Sequence, residues 1–174
     1  MANTASKLDL TLARMGLPDA ACGEAAQRTF DFKTKPRGSL GRLEEMARLV
    51  AAIRREPRPE PQQAAIVVVA GDHGIAQEGV SAYPQEVTAQ MLANFAGGGA
   101  AICVLAEAVG ARLVVVDAGV AGSLRHHRVL DRRLGAGTAN SSRGPAMSRA
   151  QAVEALESGI QLGEIGRASC RERV

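Results

Sequence analysis

Two acids and one histidine occupy the places where an α/β chain most readily builds chemistry. Asp72 and His73, in "GDHG" at 71–74, follow directly on the apolar run "AAIVVVA", and Asp117 closes the run "RLVVVDAG" at 112–119. Open parallel sheets bind ligands in the crevice outside the carboxyl ends of their strands. Two carboxylates at neighbouring strand ends, beside glycines that admit a close backbone, therefore form a candidate site. The same two acids can equally serve to cap turns. His73 can work as acid, base or hydrogen-bond donor near neutral pH, or be held by Asp72 for structural reasons alone. Tyr83 is the only tyrosine, and Pro84 opens a helix after it. The tyrosine is thus expected in the loop over the strand ends, where its ring can stack on a planar ligand or pack on the core.

Other polar features carry less. "GGGAA" at 97–101 resembles a phosphate cradle ahead of a helix, but it lacks GxGxxG spacing and no strand leads into it. Close helix packing accounts for it better. Lys33, Lys35 and Arg37 in "KTKPRGS" can meet a phosphate, although charge runs of this kind are usually solvated. His126 and His127 are adjacent and point apart on any regular element, so no metal centre is expected from them.

The elements that must position these residues follow from periodicity. Hydrophobic residues make up 46% of the 174-residue chain and aromatic residues 2%, with no Trp. The core must therefore be aliphatic. Residues 1–60 read as an N-terminal helical region. Leu8, Leu12 and Met15 recur at helical spacing, and a second helix starts near Pro18 and Asp19. A third begins at Ser39 or Gly41, presents Leu43, Met46, Ala47, Val50 and Ile53 on one face, and stops at Pro57. Residues 61–162 read as an α/β core. "AAIVVVA" and "RLVVVDAGV" are continuous β-branched runs that suit strands covered on both faces. Helices over "PQEVTAQMLANF" and "AAICVLAEAVGA" separate them, the second capped by Gly110. One side of the first of these carries Val87, Met91 and either Leu92 or Phe95. The segment "SLRHHRVLDRRLGAGTANSSRGPAM" reads mostly as loop. A helix capped by Ser148 follows, with Ala152, Ala155, Leu156 and Ile160 on one face. The fold class is α/β, a layered parallel, Rossmann-like sheet preceded by helices, and incomplete as a domain.

The net charge is +3, of which the last eight residues, "RASCRERV", carry +2. A near-neutral remainder gives no basic face for nucleic acid. Cys22, Cys103 and Cys170 are scattered and odd in number, which argues against a disulfide framework or a zinc site. No apolar run approaches the ~18 residues of a membrane span, and no secretory leader is evident. A cytoplasmic protein without cofactor or metal is expected.

Five motifs in register carry a resemblance beyond this. They are "KPRGSLGRLE" at 35–44, "DHGIAQEGVSAYPQEVTAQM" at 72–91, "NFAGGGAAICVLA" at 94–106, "VVDAGV" at 115–120 and "GTANSSRGPAM" at 137–147. Together, over residues 25–162, the chain resembles the nicotinate-nucleotide–dimethylbenzimidazole phosphoribosyltransferase family of cobalamin biosynthesis. The resemblance implies transfer of phosphoribose from nicotinate mononucleotide to 5,6-dimethylbenzimidazole, giving α-ribazole 5'-phosphate and nicotinate. It implies no cofactor, and a homodimer for an intact member. It places Gln85 and Met91, with Tyr83 nearby, against the benzimidazole, while position alone puts Asp72 and His73 on the crevice floor.

The chain departs from the family pattern at its end. Members are about twice as long, and their general-base glutamate matches no position here. A "GEMGIGNTT"-like segment is missing, and "GEIG" at 163–166 arrives too soon to replace it. Residues 163–174 are therefore expected to be a tail outside the family sequence, left by truncation or a misjoined frame, with activity of the chain alone in question. A non-catalytic α/β ligand-binding or partner subunit is the alternative. A dinucleotide-binding module is disfavoured, because no GxGxxG follows the first strand.

Overall fold

A computed structural model describes residues 6–60, 63–122 and 125–169, with side chains to residue 164. Of the tail at 163–174, residues 163–169 continue the last helix, and Cys170 and the residues after it lie outside the described residues. The chain divides into two compact units, residues 10–62 and the described remainder.

Three helices begin the chain: α1 Lys7–Arg14, α2 Ala20–Asp31 and α3 Arg42–Arg54. Asp19 is the N-cap of α2 and accepts the Cys22 amide at 3.1 Å, so Pro18 precedes the helix and does not form its first turn. Gly41 caps α3. The helices α2 and α3 pack through small residues, with Gly23, Ala26, Ala51 and Ala52 all buried. This reverses the expected face. Leu43, Met46, Val50 and Ile53 lie 45–64% exposed, because close backbone approach selects the side of α3 that carries Ala51 and Ala52. Glu44 is buried on that side. Its carboxylate accepts Lys35 Nζ at 2.7 Å, the Leu40 amide at 3.2 Å and Gln27 Nε2 at 3.2 Å. Lys35 of the basic loop is therefore a structural strut.

The second unit is a three-stranded parallel sheet in the order β1-β2-β3: β1 Ala65–Gly71, β2 Arg112–Gly119 and β3 Val129–Asp131. Three residues between polar flanks give no periodic signal, which is why β3 reads as loop in the sequence. Helices α4 Glu86–Gly97 and α5 Ala101–Ala108 form the crossover between β1 and β2. Leu92 and Val120 are essentially inaccessible and pack with Val115, Phe95 and Ala89. The buried side of α4 is thus Leu92–Phe95–Ala96, and Met91 is 41% exposed.

Residues 86–108 taken together are long and apolar enough for a membrane span, contrary to the expectation from the sequence. Gly98 adopts φ +83° and breaks the helix. The pieces, of 12 and 8 residues, fall short of the ~20 a span requires.

On the other face, Leu162 of α6 (Arg149–Ser169) packs with Val114, Val116 and Leu130, and Leu156 points outward. Leu162, and not Leu156, is the apolar anchor of α6. The strand β1 occupies a sheet edge, and its Val67 and Val69 are exposed. Among the described strands, β2 alone is covered on both faces.

Candidate functional site

The carboxyl ends of β1 and β2 are built by a break in register. Ala70 pairs with Asp117, but Gly71 pairs with Gly119, so Ala118 is looped out. Beyond the break the Asp72 amide donates to the Gly119 carbonyl at 2.9 Å. A second chain crossing sits directly above. Thr138 N donates to Asp72 O at 3.0 Å, Gly74 N donates to Thr138 O at 3.1 Å, and His73 and Thr138 form a parallel bridge. The crossing is too close for side chains. A Cβ on Gly74 would lie 2.6 Å from Ala139 C and Asn140 N, and one on Gly137 would lie 2.8 Å from Asp72 O.

Between these segments opens a cleft of about 780 Å³. Its floor is Gly71, Asp72, Ala118 and Gly119, its walls include Val69, His73, Leu134 and Thr138, and Pro145–Ser148 with Gln151 close the far side. That side is firm because Ser148 and Gln151 form a reciprocal capping box at the start of α6. Gln151 N donates to Ser148 Oγ at 3.2 Å and Ser148 N to Gln151 Oε1 at 2.9 Å. Ser148 is thus the cap that the sequence indicates. The lining is mainly apolar with a few convergent polar groups, the usual character of a small-molecule pocket.

Both acids are in place, and both are occupied. Asp72, 5% exposed, accepts the Ala121 amide through Oδ2 at 2.8 Å. Asp117, 2% exposed, accepts the Gly119 and Val120 amides through Oδ1 at 3.0 and 2.9 Å. They hold the turn after β2, as turn-capping acids do. The second oxygen of Asp117 accepts no hydrogen bond and lies 3.5 Å from Arg133 Nε. The Arg133 guanidinium is aimed instead at Asp131, at 3.1 and 2.8 Å, and holds that carboxyl down at about 2.

His73 lines the cleft with its side chain exposed. Its carbonyl accepts Gln85 Nε2 at 3.1 Å. Gln85, Tyr83 and Met91 lie outside the cleft lining. Tyr83 is 72% exposed, and its backbone is tied to the Ser81 hydroxyl. Of the six candidate residues, the fold therefore gathers Asp72 and His73 at the cleft, with Asp117 near the end of β2 holding the adjoining turn and Gln85 bound to His73. His126 and His127 stack at 4.5 Å between centroids instead of pointing apart, because the loop that holds them is not a regular element.

Sequence reasoning missed Glu78, the last residue of the 3-10 turn Gly74–Glu78. Its Oε1 accepts Asn140 Nδ2 at 2.7 Å, Ser142 Oγ at 3.1 Å and Arg143 Nη2 at 3.2 Å. The Asn140 bond, followed by those from Ser142 and Arg143, pulls its carboxyl below the ordinary glutamate range. Missed also were Met147 and Gln151 as lining residues. The motif "GTANSSRGPAM" was the available signal for Asn140, Ser142, Arg143 and Met147.

A parallel sheet with its cleft at the strand ends, floored by glycines and walled by apolar groups, defines a protein of the α/β class. Residues 15–169 match the family model described as Phosphoribosyltransferase. The chain belongs to the nicotinate-nucleotide–dimethylbenzimidazole phosphoribosyltransferase family. The enzyme of that name from Roseiflexus castenholzii is 53% identical over 156 residues, 89% of this chain and 44% of the relative. The Desulforamulus reducens enzyme is 50% identical over 154 residues, 87% of this chain and 44% of the relative. The crystal structure of the Thermus thermophilus enzyme superposes with a TM-score of 0.81 at 44% identity, over 87% of this chain and 46% of that one. The chain thus spans less than half the length of the relatives it matches.

Proposed function

We propose that the cleft at the strand ends receives the 5,6-dimethylbenzimidazole of a phosphoribosyl transfer from nicotinate mononucleotide. The observation that carries this reading is the 780 Å³ apolar-walled cleft floored by Gly71 and Gly119 in a chain of this family. A flat apolar base fits such walls, with few polar anchors needed. In the reaction a ring nitrogen of the base attacks the anomeric carbon. The bond to the nicotinate nitrogen breaks, nicotinate leaves with the electron pair, and the attacking ring gives up its N–H proton. The transition state has oxocarbenium character, as glycosidic displacements generally do, and the proton requires an acceptor. Asp72 and Asp117 are committed to backbone amides, so neither is assigned that role. Asp72 forms part of the floor, Asp117 holds the turn behind it, His73 forms part of the wall, and Gln85 acts through His73. Tyr83 and Met91, which the resemblance to the family places against the base, lie outside this cleft, and the cleft reading gives them no contact with it. A cytoplasmic homodimer, with no nucleic acid or membrane partner, belongs to the same proposal.

Equilibrium dialysis of 5,6-dimethylbenzimidazole against the chain tests the reading. Saturable binding is expected, weakened at least about tenfold by Met147→Lys, which puts a charge in an apolar wall. A loss caused by Met91→Lys and not by Met147→Lys would move the base out of the cleft. Binding without turnover of added nicotinate mononucleotide would favour the second reading, a ligand-binding chain. The occupation of both strand-end carboxylates by backbone amides gives that reading its support.

A further inference from the structure

We propose that Glu78 is a positioning residue for this cleft, one that touches no ligand but fixes the wall that does. The proposal rests on the assignment of the cleft to the benzimidazole. Glu78 is not among the lining residues, whereas Thr138, Ala139, Pro145, Ala146 and Met147 are. All five belong to the loop that Glu78 holds.

The hold works at two points. At the inner end, the crossing of Asp72–Gly74 with Thr138 is backbone on backbone, and it sets where the loop begins. It cannot set where the loop goes next. At the outer end, Asn140, Ser142 and Arg143 all converge on Oε1 of Glu78. Asn140 Oδ1 accepts the Ser142 amide at 3.0 Å and also lies 2.7 Å from the Ser142 hydroxyl. That hydroxyl has one proton and donates to either Glu78 or Asn140 at a given moment. From this corner Ala139 N reaches Ala146 O at 2.8 Å, which places Ala146 and Met147 along the cleft. Glu78 and Ala139 are thus two ends of one brace, and without the carboxylate the loop keeps its root and loses its tip. Hydrogen bonds to a charged acceptor are the stronger kind, so one side chain can hold three donors.

The test compares the wild-type chain with Glu78→Ala and Glu78→Gln. Two readouts are followed, dialysis of 5,6-dimethylbenzimidazole and hydrogen exchange of the backbone amides of residues 138–147. Gln keeps an acceptor oxygen for Asn140 and Ser142 and gives up only the charge toward Arg143. The expected result is about tenfold weaker binding in E78A, binding within about threefold of wild type in E78Q, and faster exchange over 138–147 in E78A. A purely structural role would change stability alike in both variants without this rescue. Binding by E78A equal to wild type, or no rescue by E78Q, overturns the proposal. If the wild-type chain itself does not bind the base, the functional reading fails separately. Exchange then decides the brace: acceleration in E78A supports it and unchanged exchange overturns it. Arg143→Ala, which removes one donor from the surface, serves if E78A does not fold. About two- to threefold weaker binding is then expected, and no change in either binding or exchange overturns the proposal.

Discussion

Asp131, Arg133 and Asp117 show how charge is distributed at the ends of β2 and β3. Arg133 spends its geometry on Asp131, with two short contacts, and leaves Asp117 a nearby charge without a hydrogen bond. The Asp131 carboxyl is held down to about 2 by the Arg133 guanidinium. A group whose pKa is depressed in the folded state contributes stability above its unfolded value of ~3.9, and loses it as pH falls toward the folded value. The chain should therefore lose stability between about pH 4 and about pH 2 in part through this group. Urea midpoints at about pH 5 and about pH 2.5 should differ less in Asp131→Asn than in wild type. An equal difference would remove Asp131 from the acid response. At this scale the sequence is informative about residue type and silent about commitment. It places Asp72 and Asp117 at strand ends but does not show that one oxygen of each is taken by the Ala121 amide or by the Gly119 and Val120 amides. It says nothing of Glu78, whose partners lie more than sixty positions away.

The strands β1 and β2 and the crossover helices were legible because continuous β-branched runs and 3.6-residue periodicity survive in any packing. Faces were not. The apolar stripe of α3 is a sound helical signal, yet burial follows Ala51 and Ala52, since two helices approach where side chains are small. The strand β3 was illegible for a different reason: its identity comes from the neighbour it pairs with, and not from its own three residues. The crossing of the 72–74 and 137–140 segments is likewise a fact of packing, and its glycines can be compared directly with others. Gly74→Ala brings a Cβ to 2.6 Å from two backbone atoms of the opposing segment. Backbone on both sides cannot yield cheaply, so a loss of about 2 kcal/mol or more is expected. Gly97→Ala, in the last turn of α4 with nothing within 4 Å, should be neutral or stabilise by about 0.5–1 kcal/mol. Urea unfolding of both variants checks the contrast. Equal midpoints would mean that the crossing relaxes at no cost.

At the scale of the molecule the distribution of apolar surface stands out. Val67 and Val69 on the free edge of the sheet, and Leu43, Met46, Val50 and Ile53 on α3, are all exposed. Large contiguous apolar surface on a lone chain favours association, and an edge strand with uncovered side chains adds to that tendency. The α3 stripe offers the cleaner test, because none of its residues touches the cleft. Ile53 is 61% exposed, so Ile53→Lys should change unfolding stability by no more than about 0.5 kcal/mol. The same substitution puts a solvated charge at the C-terminal end of the stripe. Sedimentation velocity across a concentration series should show the wild-type chain associating and Ile53→Lys shifted toward monomer, with dimethylbenzimidazole binding unchanged. If both sediment as monomers at every concentration, the stripe is tolerated as open surface. If both associate equally, the sheet edge at Val67 becomes the face to substitute next, since lysine is the residue with which natural edge strands block pairing.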